Sequence, residues 1–500
     1  MPEEEQVPPP QAGQVLPKRG DSPDVRTPEI VGAIIAGFLG NLILRTGAVA
    51  SASSALLVIV LVVTLIWSSR VRRREPLLFL ALASAVAPWL AIRADTPLTL
   101  ANVVTVLILL GVAAGISLRG SPLDVRVRDV VMDVWAPTFE WLYGLGLLRR
   151  FATALTTDRK LAPFLRGIAV AIPVLIVFTT LLASADDVFA KFLLLGNLPT
   201  LVGHIIVTLL VAIVLFGFVS RAAHETPPAQ KSLNIRMLGS LEVTIILGSL
   251  AALFSAFVIT QLVVAFGGAD HVLRTEGLTS AEHARSGFFQ LLWVAGLAVS
   301  LVGGLRAVRI TNPEKGRDRF TPLALVTLLL TVVIAGISLQ RLLLYVGSFG
   351  LTPLRFWAIA GAGGVAVLIA TYALSVAGWQ ADRSWFPGTA IVLSALFVFG
   401  LNVVNPDAQV ASYNISRATT TVDVETLQSL SDDAVEELIR SEPNLPDVAG
   451  TELLDQLCLR PDRETSFGLF EYNAGRVGAD RALDTLCTER EAGGNIRGRD

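Results

Sequence analysis

Charge is what this chain has least of. Asp, Glu, Lys and Arg make up 16% of its 500 residues, whereas a soluble globular domain carries about 25%. The deficit lies in long uncharged stretches that recur from Ile30 to Val404, and hydrophobic residues reach 53% overall. Lysine is confined to Lys18, Lys160, Lys191, Lys231 and Lys315, so Arg carries the remaining positive charge. Cysteine is confined to Cys458 and Cys487, and the four His are scattered. There is no Walker loop, no His-Glu-x-x-His, no Cys-x-x-Cys and no pair of His at ligand spacing. No cofactor or metal site is therefore expected, and nothing points to nucleic acid as a partner. Alternating segments of about 10 residues, the mark of a membrane β-barrel, are also missing.

What is present is a series of apolar runs. About 20 apolar residues in a helix cross the hydrocarbon core, and irregular backbone cannot cross because its unpaired polar groups cost too much there. The expected fold is all-α, a polytopic transmembrane helix bundle of about eleven spans. The spans are 29–46, 54–69, 76–94, 97–117, 167–185, 200–220, 240–267, 286–308, 322–347, 356–379 and 387–404. Residues 1–28, rich in Pro, Glu and Gln, read as a disordered cytoplasmic tail. Residues 29–404 form the transmembrane domain, and 405–500 a small helical extracytoplasmic tail.

Orientation follows from the basic loops. Arg70, Arg72, Arg73 and Arg74 follow span two, and Arg119, Arg126, Arg128, Arg149, Arg150, Arg159, Lys160 and Arg166 follow span four. Arg221, Lys231 and Arg236 follow span six, and Arg306, Arg309, Lys315, Arg317 and Arg319 follow span eight. Every strongly basic loop follows an even-numbered span. Basic residues beside spans stay in the cytoplasm, so the N-terminus is inside and the C-terminus outside a bacterial inner membrane. Lys18, Arg19 and Arg26 before the run 30–44, with Ala48, Ala50 and Ala52 after it, resemble a signal peptide. Arg45 interrupts that pattern, and the segment reads as a first span.

The cytoplasmic loop 118–167 is amphipathic. Trp135, Phe139, Trp141, Leu142, Leu145 and Leu148 either line a helix on the membrane surface or belong to two helices that cap the bundle from inside. The tail holds 19 acids against nine Arg, a net of −10, which leaves +8 for the remainder. Leu427, Leu430, Val435, Leu438 and Ile439 make an apolar stripe with Asp432, Asp433, Glu436 and Glu437 opposite. Ser431 and Thr451 read as N-caps, and a third helix covers part of 466–487. Cys458 and Cys487 are disulfide candidates in an oxidising compartment; a bridge closing about 30 residues contributes roughly 3.5 kcal/mol. The alternative is two buried thiols.

Polar residues gather at the outer ends of the spans. Asp186 and Asp187 end span five, Glu282 and Arg285 precede span eight, and Arg341 and Tyr345 share a face of span nine. Arg355 begins span ten, and Asp407, Asn414 and Arg417 follow span eleven. An ionised Arg341 inside a span costs a few kcal/mol unless paired, and Asp186, Asp187 or Asp407 is its natural partner. This set is a candidate extracytoplasmic polar network, either a structural lock on the bundle mouth or a ligand site. His204 reads as a core histidine bonded to a neighbouring helix. Gly361, Gly363 and Gly364 read as small residues for close helix packing, not as a dinucleotide loop.

Several of these stretches resemble a family of uncharacterised bacterial polytopic membrane proteins, domain of unknown function 4173, related to 4153. They are Ser184-Ala-Asp-Asp-Val-Phe189, Glu282-His-Ala-Arg-Ser-Gly-Phe-Phe-Gln-Leu291, Arg341 to Tyr345 with Gly350-Leu-Thr-Pro-Leu-Arg355, and Asn405-Pro-Asp-Ala408 with Asn414 and Arg417. Leu427-Gln-Ser-Leu-Ser-Asp-Asp-Ala-Val435 is similar to that family's outer extension. The likeness spans residues 165–440, and before that only the hydropathy agrees. It implies a membrane location and this helix count, and no activity. Three functions fit the residues. The first is a non-enzymatic envelope protein, with the lipid bilayer around it and an envelope protein or ligand at its outer face. The second is a transporter or channel, although no repeat is visible. The third is an integral membrane enzyme acting on a lipid-linked envelope substrate, with Asp186 or Asp187 as base, although no positioned acid–base partner is evident.

Overall fold

The computed structural model describes residues 27–68, 75–119, 198–224, 238–266, 288–308, 319–379, 385–418, 423–459 and 468–492. The described residues are helical, with no strand among them. The bundle helices are α1 Thr27–Thr46, α2 Ala52–Ser68, α3 Glu75–Val86, α4 Trp89–Ile92, α5 Thr96–Arg119 and α6 Leu198–His224. They continue as α7 Ser240–Phe266, α8 Phe288–Val308, α9 Phe320–Phe349, α10 Pro353–Val376 and α11 Trp385–Val404. The tail follows with α12 Pro406–Ser416, α13 Val424–Gln428, α14 Val435–Ser441, α15 Asp447–Cys458 and α16 Ala474–Ala492, plus two short 3₁₀ turns.

Six described helices are long and apolar enough to cross a membrane: α1, α5, α7, α9, α10 and α11. Shorter apolar stretches lie in α2, α3–α4, α6 and α8. The described residues thus carry fewer full-length spans than the eleven expected. The expected span 76–94 is broken: α3 stops at Val86, Pro88 lies in the bend, and α4 is a separate turn. Proline has no N–H to give the preceding turn and its ring clashes there, so a helix kinks or ends. Span 167–185 and most of the loop 118–167 lie outside the described residues, as do residues 1–26.

Bundle helices carry apolar side chains outward as well as inward. Leu253 is 64% exposed and Trp293 73%, values that suit a helix whose outer face meets lipid and not water. Two larger cores and a smaller one, of Phe254, Val258, Ala298 and Ile334, fill the interior. Phe79, Leu109, Val112 and Ile116 pack with Val58, Leu61, Phe218 and Ala395, joining α2, α3, α5, α6 and α11. Val243, Leu247, Ala295, Leu328, Ile369 and Tyr372 join α7 to α10. α11 lies between these groups, touching α3 and α5 on one side and α10 on the other.

α1 is the helix that needs glycine. It runs antiparallel to α6, with Gly37 against Thr208 and Ala212, and Asn41 against His204. A Cβ at Gly37 would lie 2.5 Å from the Thr208 carbonyl oxygen and 2.7 Å from the Ala212 Cβ. A Cβ at Gly32 would collide with Thr64 of α2. Small residues let membrane helices approach and gain dispersion contacts that lipid does not otherwise favour. The glycines of α10 do less. A Cβ added at Gly361 or Gly363 would meet nothing within 4 Å, and one at Gly364 would meet only the Phe397 ring, at 3.4 Å. Their faces are not the close interface, because α10 packs on α9 and α11 through larger side chains such as Ile369 and Tyr372.

The tail differs from its expected form in detail. One stripe of apolar residues spans two helices, α13 and α14, separated by the 3₁₀ turn Asp432–Ala434. Ser431 stands before that turn without a side-chain cap bond, and Thr451 lies inside α15, its hydroxyl donating to the Asp447 carbonyl. The charge pattern puts Asp433 on the open face, yet it is only 9% exposed. Leu427, Leu438, Leu453 and Leu457 are fully buried, each contributing about 2 kcal/mol. Cys458 and Cys487 are joined between α15 and α16, Cα atoms 5.8 Å apart. Arg490 reaches Asp455 at 2.6 Å beside them.

Substituting Gly37 with Ala should force α1 off α6 and lower stability by about 1–3 kcal/mol. Gly361→Ala should be neutral or slightly stabilising, because it removes the conformational freedom of glycine without a clash. Thermal unfolding of the two variants in detergent measures the contrast. Equal midpoints would remove the close α1–α6 interface.

Candidate functional site

Four turns lie at one end of the bundle, and the tail touches all of them. They are 47–51 after α1, 93–95 after α4, 350–352 after α9, and Asn405 after α11. Helix ends leave backbone groups without partners, and these must be satisfied by something. Here the tail supplies much of it.

Asn473 is the centre of the arrangement and is fully buried. Its Nδ2 donates to the carbonyls of Arg93 at 2.9 Å, Ala50 at 3.3 Å and Leu90 at 3.4 Å. Its Oδ1 accepts from the Arg476 backbone N–H at 3.2 Å, which caps α16. One amide therefore starts a tail helix and ties two bundle turns together. Gly475 lets it approach, since a Cβ there would collide with Asp433 Oδ1.

Asp433 is the second anchor. Its Oδ2 accepts the backbone N–H groups of Ala94 at 2.8 Å and Asp95 at 3.0 Å. Its own carbonyl accepts Nδ2 of Asn405 at 2.9 Å. Asn405 adopts the left-handed conformation, φ 57°, and its Oδ1 accepts the N–H of Ala408 to begin α12 after Pro406 at the first helical position. Asp407 Oδ2 accepts the Ser431 N–H at 2.8 Å. Arg93 donates through Nε and Nη2 to the Asn402 carbonyl at 2.9 and 2.6 Å. One turn deeper, Asn102 of α5 and Asn402 of α11 exchange amide hydrogen bonds at 2.9 and 2.6 Å.

Three acids thus share this junction. Burial, then the neighbouring Asp407, pushes the Asp95 carboxyl up to about 7, against the N–H of Leu98, which it accepts. Burial likewise raises Asp433, against the two backbone N–H groups it binds and the charge of Arg93.

The second polar group lies beside α9, α10 and α12. Asn414 clamps the 350–352 turn: its Oδ1 accepts from Leu351 N at 2.8 Å and its Nδ2 donates to Leu351 O at 2.6 Å. Gly350, at φ 76°, leaves room for that amide. Arg355 donates to the Phe349 and Gly350 carbonyls and lies over the Tyr345 ring at 4.5 Å. Arg417 lies over the Tyr413 ring at 4.8 Å. A cleft of about 500 Å³ runs between the turn and α13, lined by Phe349, Gly350, Asn414, Arg417, Asp423 and Thr426 among others. The hydroxyl and N–H of Thr426 hold the Asp423 carboxyl below the usual range. Arg355 and Arg417 supply positive charge around a cleft with mixed polar and apolar walls. No group of three metal-ligating side chains occurs among the described residues.

The residues named from sequence therefore divide. Asn414 and Arg417 line the cleft, Arg355 and Tyr345 pair beside it on the 349–350 turn, and Asp407 belongs with the tail anchors. Arg341 donates to Gln261 Oε1 of α7 at 2.6 Å, a partner that the sequence does not suggest. Asp186, Asp187, Glu282 and Arg285 lie outside the described residues. Missed from sequence are Arg93, Asp95, Asn102, Asn402, Asp433 and Asn473. Asn102 and Asn402 carry a readable signal, as amides inside apolar spans. His204 pairs with Asn41 at 3.0 Å across α1 and α6, as expected of a core histidine.

Two outcomes follow from the junction. Asp95 and Asp433 bind protons more tightly folded than unfolded, where a carboxyl titrates near 3.8. Stability should therefore be highest below that value and be lost as pH rises toward about 7. Unfolding midpoints in detergent should be higher at about pH 5.5 than at about pH 8, and Asp95→Asn should flatten the difference. A slope of opposite sign would place the acids in another environment. Asn473→Ala strips a cap and a shared donor from three carbonyls and should cost about 2–4 kcal/mol. Hydrogen exchange should then quicken at Ala94 and Asp95 as well as in α16; exchange confined to α16 would mean that Asn473 only caps.

A family model described as Domain of unknown function (DUF4153) matches residues 38–441. The match begins well before residue 165, so the N-terminal helices share more than hydropathy with the family. The family matched is 4153, which the resemblance gave as the relative of 4173. No curated protein and no solved structure matches the chain. An apolar helical bundle matched over most of its length by this model belongs to the DUF4153 family, whose activity is unknown.

Proposed function

We propose that this chain is a multi-pass protein of the bacterial inner membrane that holds a folded tail over the outer mouth of its bundle and offers that tail to an envelope protein. The observation that carries the reading is the docking of the tail. Side chains of Asn473, Asp433 and Asn414 bind backbone groups of three separate bundle turns. A tail fixed in this way is a platform.

The outward face of the platform has a defined chemistry. Val448 on α15 is 82% exposed, and Leu459 just after that helix 52%. Asp447, Thr451, Glu452, Asp455 and Gln456 surround them along a shallow groove. Exposed apolar side chains among acids suit a basic, partly apolar segment of a partner. The proposed topology has eleven crossings, the N-terminus inside and the tail outside. It rests on basic loops after even-numbered spans, and on the turns after α1, α4, α9 and α11 sharing the tail's end of the bundle. An oxidising compartment on that side suits the bridge between Cys458 and Cys487. Transport is the second reading, but the described polar groups concentrate at the tail end and not at mid-depth.

One experiment tests sidedness and partner together. Thr451→Cys and, separately, Gly316→Cys are exposed in intact spheroplasts to a membrane-impermeant thiol-reactive photo-cross-linker, with the native disulfide left intact. Thr451→Cys should label and Gly316→Cys should not; the reverse would invert the topology. Photolysis should then join the labelled protein to one envelope protein, and Glu452→Gln with Asp447→Asn should weaken that adduct. Labelling without any protein adduct would overturn the platform role.

A further inference from the structure

The turn 468–472, Gly-Leu-Phe-Glu-Tyr, enters α16 and lies where the tail meets α1 and α2. The Tyr472 carbonyl accepts the N–H of Ala52 at 2.8 Å, and the Phe470 carbonyl accepts that of Ser53 at 3.1 Å. These are the opening N–H groups of α2, which have no partner within their own helix. The backbone of the turn is thereby held at the membrane end of the bundle, and its side chains must be accommodated there.

They are apolar and uncovered. Leu469 is 81% exposed, Tyr472 42% and Phe470 38%. Phe470 turns away from the tail core and meets Phe38 of α1 edge-on, ring centroids 6.2 Å apart. Phe38 stands eight residues before the end of α1 at Thr46, about 12 Å along the helix. It shares with Ile34 and Ile35 the outward face of that helix, where each is at least 44% exposed. Phe470 thus continues the exposed apolar face of α1, and its neighbour Leu469 and the turn residue Val49 are exposed as well. Left in water, this strip of exposed Leu, Phe and Tyr would be unfavourable. At the boundary between headgroups and acyl chains, aromatic rings and Leu are favoured. Glu471, half-exposed among them, limits the depth, because a carboxylate stays at headgroup level.

We propose that the turn 468–472 is a lipid anchor, with Leu469, Phe470 and Tyr472 entering the headgroup–acyl boundary of the leaflet on the tail's side. The proposal rests on the bundle crossing the bilayer but not on which face is outside. The tail is then attached twice, to the bundle by hydrogen bonds and to the membrane by this turn.

The test places a nitroxide on the full chain in nanodiscs of phosphatidylethanolamine and phosphatidylglycerol. Leu469→Cys is the probe. Val448→Cys, on the outward face of α15, is the water reference, and Leu210→Cys, on the exposed side of α6, is the lipid reference. Cys458 and Cys487 stay bridged and unlabelled. At position 469, the ratio of oxygen to nickel-chelate collisions should be severalfold above that at position 448 and below that at position 210, which lies mid-span in α6. Nickel access equal to that at position 448 would put the turn in water and overturn the anchor. Protection from both reagents would mean that protein covers the turn, which also overturns it. Nickel access at position 210 matching position 448 would overturn the membrane bundle itself, and the anchor with it.

Discussion

The structure depends on a constraint at the ends of its helices. Each helix that stops at a membrane surface leaves carbonyls and N–H groups without helical partners, and four such turns converge at one end of this bundle. Water could satisfy them in a loose assembly. Instead a folded tail does so: Asn473 serves three carbonyls, Asp433 two N–H groups, Asn414 both groups of Leu351, and the 468–472 turn the start of α2. Among the described residues the helices on either side of α11 have separate cores, and α11 and the tail both join them.

The same solution creates the junction's electrostatic character. A carboxylate is the strongest acceptor for two adjacent N–H groups, which explains Asp433. Burying it beside Asp95 and Asp407 gathers three acids, of which Asp433 feels the charge of Arg93. Burial first, and like charge after it, raises the proton affinity of Asp95 and Asp433, so the junction is tighter in its protonated form. The cleft at α9, α10 and α12 has the opposite balance, with Arg355 and Arg417 prominent, so the two polar regions suit different chemistries.

Much of this is legible in the sequence, and the division is physical. Apolar runs locate every bundle helix among the described residues, because hydrocarbon thickness imposes a length that sequence displays. Arg355 and Asn405 are legible because they stand close to proline at turns, where local backbone rules act, and Asn414 because it is polar just after the last span. Asp433 misleads because its neighbours Asp432 and Glu436 make it look like part of a solvated face; only the approach of the 93–95 turn buries it. Asn473 gives no signal, since its acceptors lie hundreds of positions away. Gln261, the partner of Arg341, is hidden for the same reason. The break at Pro88 is readable in principle, but the run 76–94 masks it by being long enough to cross when taken whole.

The distance between Asn473 and Ala50 has a consequence for biogenesis. Their hydrogen bond closes a separation of 423 positions. At about 5–20 residues per second, the ribosome needs roughly 20–85 s to make the second partner after the first. During that interval the earliest hairpin has its turn uncapped, and the tail completes it. A ribosome that stalls or a message cut short near its end would leave an inserted bundle with open seams. Such a product is a natural substrate for membrane quality control, which could recognise the naked turns as the sign of an unfinished chain.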